Sequence, residues 1–513
     1  MPIRMVDDPQ EPKNNDTGGK RGGIPPILLL FLPYIFKFLI KKPKLLLGVI
    51  AIGVLFYFFG GNLLGGGETA DADIVSPFSR GLDMKQEVYE QGELYEPLAT
   101  NYKSGLPSRV SLEQFCPPRL NQGSQGSCVA WSSSYAARTI LHAKSKGVSG
   151  KEVAFSPSSL YNFIKLPNCQ GAYIHNAMQQ MQQYGVLPFN EFSYDEYDCN
   201  RTPSQNQMAM ATQYRTRGFQ RLWENEGGTD ISAIKQNLSQ GGPVVIGMLV
   251  GGSFMSDMMG RKIWHPTSRD RNMAGFGGHA MCVIGYDDNL EGGAFQIMNS
   301  WGEDWGDRGL FWIKYSDFEY FTREAYGLYP MGNAPALDPN KLSVDFGLVT
   351  SDNLKNIPLT HLGNGIFRTS NNIAKGTRFK IEVTNSIECY IYVFGEETDG
   401  SSYVLFPNPQ KKNHSAYCGI TGTRLFPRTE SLMADNIGNA DRMAVVVSKV
   451  ELDHGELNRL INQATGNYAQ KVQSVLSQYA MTGVTFQSGA NVHFDATIGD
   501  KKTVAMVIEV TKQ

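Results

Sequence analysis

One cysteine stands in a setting suited to nucleophilic chemistry. Cys128 closes the string Asn121-Gln-Gly-Ser-Gln-Gly-Ser-Cys128-Val-Ala-Trp131. The glycines permit a tight turn, and Ser127 is placed to cap a helix beginning at Cys128. Ala130, Ala136 and Ala137 suit that helix as far as about Ser145. A thiol at a helix N-terminus meets the positive end of the dipole and free backbone amides, and both favour thiolate, the reactive form. Gln122, six residues upstream, can offer a side-chain amide to a developing oxyanion, with Cys128 N–H as the second donor. A base stands in Gly277-Gly-His279-Ala-Met-Cys-Val-Ile-Gly-Tyr286, where the apolar run reads as a buried strand with His279 at its start, facing a cleft. A third piece, Phe295-Gln-Ile-Met-Asn299-Ser-Trp301-Gly-Glu-Asp-Trp305-Gly, ends a strand at an asparagine. The Asn299 side-chain oxygen can accept from one imidazole nitrogen and leave the other for the thiol, with Trp301 covering that bond. Cys128 alone would read as one more buried core cysteine, which is the reading for Cys282. Trp305 reads as core packing, and His265, His361, His414 and His454 as surface residues.

Taken in order, these three pieces resemble the papain and cathepsin family of cysteine peptidases. Phe155-Ser-Pro-Ser-Ser-Leu160 and Gly242-Pro-Val-Val add to the match, which covers about 106–330. The distances from Cys128 to His279 and Asn299 slightly exceed the usual ~130–150 residues, and Met248 to Phe276 is a plausible place for the extra length. The resemblance implies an α+β fold of two lobes, one helical and one a β-barrel, with Cys128 and His279 on opposite walls of the cleft. It implies Cys128 as nucleophile, His279 as general base and acid, Asn299 as the orienting residue and Gln122 as oxyanion donor. The reaction implied is acyl transfer from a peptide to the thiolate, then hydrolysis, with no cofactor and no metal. Substrate contacts fall on Gly171, Ala172, Tyr173, Gly247, Gly277, Gly278 and Trp301. Gly247 and Gly277 are usually larger, so a roomy pocket is expected for a bulky apolar side chain, partly closed by Tyr173. The chain also departs from the family. Gln125 replaces a cysteine that would bond to Cys169, leaving Cys169 free to pair with Cys199. Val129 replaces the usual tryptophan. The long inhibitory propeptide is missing, so any latency arises differently.

The rest of the chain has to position and deliver this site. It has 513 residues, enough for two or three folded units, and a formal net charge of −2. No basic field argues for nucleic acid, and no phosphate-binding loop, dinucleotide fingerprint or paired zinc motif occurs. Seven cysteines leave at least one unpaired within the chain. Residues 1–23 read as a disordered cytoplasmic tail and 24–64 as a membrane segment, with a transmembrane helix over 45–64. Lys41, Lys42 and Lys44 precede that span and Glu68, Asp71 and Asp73 follow it, so the lysines belong on the cytoplasmic side and the catalytic part outside. The prolines and Lys37 within 24–40 suit an interfacial or re-entrant segment. A second span there would reverse the catalytic part's side. Residues 65–105 read as a polar stalk, 106–330 as the peptidase domain, 331–340 as a linker and 341–513 as a β-rich domain. In that last block Phe379, Ile381 and Val383 alternate with Lys380, Glu382 and Thr384, the sign of a half-buried strand. Residues 389–394 and 504–510 are also strand-like, and 456–480 has helical spacing. The block resembles a bacterial domain of unknown function; substrate or surface binding and a packing scaffold are equal readings of its role. The function expected is a membrane-tethered endopeptidase acting on peptides or proteins. A catalytically silent scaffold and a ligase using the same acyl-enzyme are the competing readings.

Overall fold

Helix formation begins at the cysteine. In the computed structural model, Cys128–Ala130, Trp131–Arg138 and Thr139–Lys146 follow one another without a break, the middle segment wound as a π-helix. The helical run stops at Gly147, whose φ of 68° lies in the left-handed region that glycine adopts without penalty. Ser127 occupies the capping position, but its hydroxyl bonds the Tyr194 hydroxyl at 2.8 Å and no backbone amide, so the expected side-chain cap is absent. The residues described are 3–7, 79–99, 105–225, 227–330, 341–481, 483–497 and 499–513. The apolar stretches at 24–40 and 45–64 lie outside them. Among the described residues no helix is long and apolar enough to cross a membrane.

The cysteine helix packs on a seven-stranded sheet ordered Phe219–Arg221, Thr322–Leu328, Val244–Val250, Gly277–Asp287, Ala294–Met298 and Leu310–Lys314, with Arg109–Ser111 added beside Gly277–Asp287. The two central strands are buried almost throughout, which is why they read as continuous apolar runs and not as alternation. The expected barrel is observed as a sheet whose end strands, Phe219–Arg221 and Leu310–Lys314, do not pair with each other among the described residues. A bond joins Cys169 and Cys199.

The C-terminal block is a sandwich of two antiparallel-rich sheets. Leu342, Val344, Phe346, Ile381 and Val383 from one sheet share a core with Val445, Val447, Met506 and Ile508 from the other. The alternate residues Tyr392, Phe394, Ala444 and Val446 face outward and are covered by the helices His454–Gln463 and Tyr468–Leu476. The stretch 456–480 is therefore two helices, broken between Gln463 and Tyr468. The strand Arg378–Asn385 departs from the half-buried expectation. Lys380 and Glu382 are buried as well, because the Lys380 ammonium is met by the carbonyls of Pro427, Arg428 and Glu430. Cys389 and Cys418 face each other across paired strands as free thiols.

Two expectations for the N-terminal part are corrected. Ile3–Asp7, read as disordered tail, is a strand paired antiparallel with Glu430–Ala434 at the edge of the C-terminal sheet. Residues 79–99, read as stalk, lie against the body: Tyr89 is fully buried, and Leu94 and Tyr95 nearly so. Their backbone is hydrogen-bonded to both the peptidase-like part and the C-terminal sandwich. A polar composition concealed this because the bonds run through main-chain groups, which composition does not reveal.

Candidate active site

The strand Gly277–Asp287 carries His279 at its third residue, and the end of Ala294–Met298 delivers Asn299 beside it. His279 Nε2 and Asn299 Oδ1 are 2.8 Å apart. With Nε2 bonded, Nδ1 is buried and finds no hydrogen-bond partner among the described residues. The next amide on the strand, Ala280 N–H, donates to Cys128 Sγ at 3.4 Å, so the cysteine helix and the histidine strand meet at the sulfur. Trp301 stacks on the His279 ring with centroids 4.4 Å apart and planes at 24°, covering the histidine–asparagine bond. Trp305 is core, packed edge-on to Trp301 and Phe311. Cys282 is a buried thiol on the same strand.

Gln122 is fully buried and oriented at both ends of its amide. Its Oε1 accepts from Ser300 Oγ at 2.6 Å, and its Nε2 donates to Gln125 O at 2.9 Å. One of the two Nε2 hydrogens is thereby spent and the other remains. Ser300 was not singled out from the sequence, although it directly follows Asn299. Its amide also donates to Asn299 Oδ1 at 2.8 Å, so it fixes both side chains.

Electrostatics differ from the expected thiolate. Burial pushes the Cys128 thiol up to about 12, against the opposing amides of Ala280, Val129, Gly81 and Cys128 itself. Burial lowers His279 to about 4; the Asn299 bond opposes this and the nearby Arg80 charge adds to it. Both groups are neutral here because no water reaches them: each is 0% exposed. The dipole and amides favour the anion, but desolvation outweighs them.

What excludes the water is the segment 79–84, which lies along the cleft as a strap. Leu82 N–H donates to Gly278 O at 3.2 Å, Asp83 N–H to Ala172 O at 3.2 Å, and Ala172 N–H to Gly81 O at 2.9 Å. Trp301 Nε1–H donates to Ser79 O at 2.9 Å. Arg80 donates to Val250 O and Gly275 O, each at 3.0 Å. Every residue expected to touch substrate borders this strap or its continuation. A methyl placed on Gly247 would lie 2.7 Å from Leu82 Cδ2, one on Gly278 would lie 2.4 Å from Leu82 O, and one on Gly277 would lie 3.0 Å from the Arg80 guanidinium carbon. A methyl on Gly171 would lie 2.6 Å from Gly81 O. The room expected at Gly247 is thus taken by Leu82 and Met84, and the Tyr173 ring carries Lys85 Nζ 5.5 Å from its centroid. The strap was missed because nearly all its partners are backbone atoms, which leave no periodic mark on the sequence.

Of the four histidines read as surface, His414 is corrected. Its side chain is 3% exposed and bonds Glu96 Oε2 at 2.8 Å, a partner hidden in the presumed stalk.

Residues 108–330 match the family model described as papain family cysteine protease. Residues 372–449 match one described as a domain of unknown function (DUF4384). The chain is 28% identical over 228 residues to cathepsin K of Mus musculus, covering 43% of this chain and 63% of that protein. It is 29% identical over 210 residues to an uncharacterized peptidase C1-like protein of Acanthamoeba polyphaga mimivirus, covering 38% of this chain and 64% of that one. The chain thus spans just under two thirds of the length of these curated relatives. Among solved structures, xylellain, a cysteine protease from Xylella fastidiosa, is similar at 25% identity over 49% of this chain and 96% of its own, with a TM-score of 0.41.

Proposed function

We propose that this chain, whose residues 108–330 carry a papain-family cysteine protease domain, hydrolyses peptide bonds through a thioester on Cys128. One observation carries the reading. His279 is fixed by Asn299 through Nε2, its Nδ1 is left unbonded, and the adjoining amide touches the Cys128 sulfur. Nε2–H donates to Asn299 Oδ1, so Nδ1 holds the lone pair that takes the thiol proton. The sulfur attacks the substrate carbonyl carbon. The oxygen that becomes negative is met by the free Gln122 Nε2 hydrogen and by Cys128 N–H. His279 then returns its proton to the departing amine, and a thioester remains. Water, deprotonated by the same nitrogen, cleaves the thioester and restores the thiol.

The apolar Leu82 side chain over Gly247 supports an apolar preference at the second substrate residue upstream of the cut. Equal cleavage of matched peptides bearing Ala or Phe there would reject that preference. The experiment for the function itself is digestion of a peptide library by the full chain and by Cys128→Ala. Cleavage by the first and none by the second is expected; equal cleavage by both refutes the nucleophile.

Attachment to a membrane through 24–64 belongs to the same proposal. It is supported by the uncharged apolar run 45–64 and by Lys41, Lys42 and Lys44 beside it. We place Lys41, Lys42 and Lys44 on the cytoplasmic side of the span 45–64 and the peptidase domain outside. Protease added to intact cells digests the peptidase domain under this arrangement; its protection refutes it.

A further inference from the structure

The strap does not hold itself alone. It continues through the short helix Gln86–Tyr89 into residues 90–99, which lie between the peptidase domain and the C-terminal sandwich. On the peptidase side, Arg221 N–H donates to Glu93 O at 2.9 Å, Tyr95 N–H to Arg221 O at 3.0 Å, and Leu98 N–H to Gln236 Oε1 at 2.9 Å. On the sandwich side the bonds come from the 412–415 loop and from the strand Gly422–Phe426 beyond it. Leu94 N–H donates to Asn413 O at 2.6 Å and Ser415 N–H to Leu94 O at 3.1 Å. Asn413 Nδ2 donates to Glu90 O at 2.7 Å, Ser415 Oγ to Glu93 Oε2 at 2.6 Å, and Lys412 pairs with Glu90. His414 pairs with Glu96, Arg424 Nε donates to Glu96 O at 3.1 Å, and Ala99 N–H donates to Thr423 O at 2.8 Å.

We infer that the C-terminal domain is a clamp on the strap, so that the 412–415 loop and the strand beyond it hold residues 90–99 in place and thereby keep Leu82 and Gly81 in the cleft. The inference gives this domain a function: it sets how often Cys128 is open to anything at all. Two independent features carry it. The loop's bonds fall on Glu90, Glu93 and Leu94, within fifteen residues of the strap's first described residue, Ser79. Behind the loop lies a cavity of about 270 Å³, bordered by Glu96, Phe406, Asn408, Lys411, His414 and Phe426. A loop backed by empty space can shift without disrupting a core, whereas most of the sandwich cannot.

The inference concerns the site proposed above, but its test does not depend on turnover. Iodoacetamide alkylation of Cys128, followed by mass spectrometry of the full chain, reads exposure of the thiol alone. The clamp variant Lys412→Ala, Asn413→Asp, Ser415→Ala removes side-chain bonds to 90–93 and is expected to raise the Cys128 alkylation rate by about tenfold or more. Leu82→Ala, in the strap itself, raises it as well. Lys341→Ala, which breaks an exposed pair with Asp495 elsewhere in the domain, leaves it unchanged. Cys116, Cys282, Cys389 and Cys418 are buried, and their continued protection certifies the fold of each variant. If the clamp variant unfolds, hydrogen exchange of the Leu82 and Asp83 amides in the single Lys412→Ala variant replaces it, with faster exchange at both expected. Acceleration by Leu82→Ala with none by the clamp variants overturns the clamp, and so does no acceleration by either. Fast alkylation without peptide cleavage would instead leave the clamp standing and sink the peptidase reading.

Discussion

Gly81→Ala should open the cleft. A methyl at residue 81 would lie 2.0 Å from Gly126 O, 2.3 Å from Gly126 C and 2.5 Å from Gly126 Cα, all of it backbone. Nothing at those distances can be relieved by turning a side chain. One of the two segments has to move, and the Gly126 side is the better held: Gln125 O accepts from both Gln122 Nε2 and Ser127 N–H, and the Ser127 hydroxyl is bonded to Tyr194. The strap therefore yields. Forcing one extra carbon into a filled space costs about 1–3 kcal/mol, and at about 1.4 kcal/mol per factor of ten this shifts the closed-to-open ratio by roughly 5- to 150-fold. The assay is paired: hydrolysis of a fluorogenic peptide and alkylation of Cys128, wild type against variant. Gly105→Ala, which meets nothing within 4 Å, is the control. Both rates rise together if the strap leaves. Rates within twofold of wild type would refute the claim that 79–84 closes the cleft in solution. Faster alkylation with slower hydrolysis would mean that the Gly126 loop moved instead.

Asn299→Ala leaves His279 Nε2 without its acceptor; kcat, measured in the Gly81→Ala background, should fall about 100-fold with little change in KM, the scale expected when a reacting group is mispositioned. Gln122→Ala in the same background removes one oxyanion donor, and kcat should fall by about 100- to 1000-fold. Cys199→Ser opens a loop with a sequence separation of 30 residues; urea unfolding should show a loss of about 3–4 kcal/mol in the loop-entropy account, and reductant should bring wild type to the same midpoint. Burial lowers His142, His175 and His279 to about 4 each, below the unfolded value near 6.5. Their neutral forms stabilise the fold fully above pH 6.5, and that contribution is lost as pH falls from 6.5 towards 4. The melting temperature should be level between pH 7 and 8 and drop below 6.5, with the drop reduced in His175→Gln; an unchanged drop would show that carboxylates dominate instead.

The parts of this site that were legible in the sequence are those whose chemistry is local. Cys128 after a glycine-rich turn, His279 at the head of an apolar run and Asn299 at a strand end each carry their meaning within about ten residues, and the structure brings all three together. The unpaired state of the Cys128 and Cys282 thiols and the pairing of Cys169 with Cys199 follow the expectation too. What was not legible depends on partners far along the chain. Ser127 has the chemistry of a cap, but Tyr194 takes its hydroxyl. His414 looks like a surface residue until Glu96 reaches it. Lys380 and Glu382 alternate as solvent-facing residues do, yet neighbouring strands bury them. The thiol's charge state was misjudged for a related reason. The dipole acting on Cys128 is a local property, whereas its desolvation comes from complete burial among segments far along the chain, which nothing near residue 128 announces.

The way Gly81 lies in the cleft bears on how many times one molecule can be switched. Its carbonyl oxygen is turned to Ala172 N–H. Bonded there, that carbonyl is not offered to the Gln122 amide for attack by the sulfur, and the strap is expected to survive its own stay in the cleft. A plug that is neither cut nor shed can return, and being part of the same polypeptide it returns as readily in a dilute solution as in a crowded one. Activity measured on the purified chain would then report the share of molecules open at that instant and would be unmoved by dilution. An enzyme regulated this way can be silenced again without new synthesis.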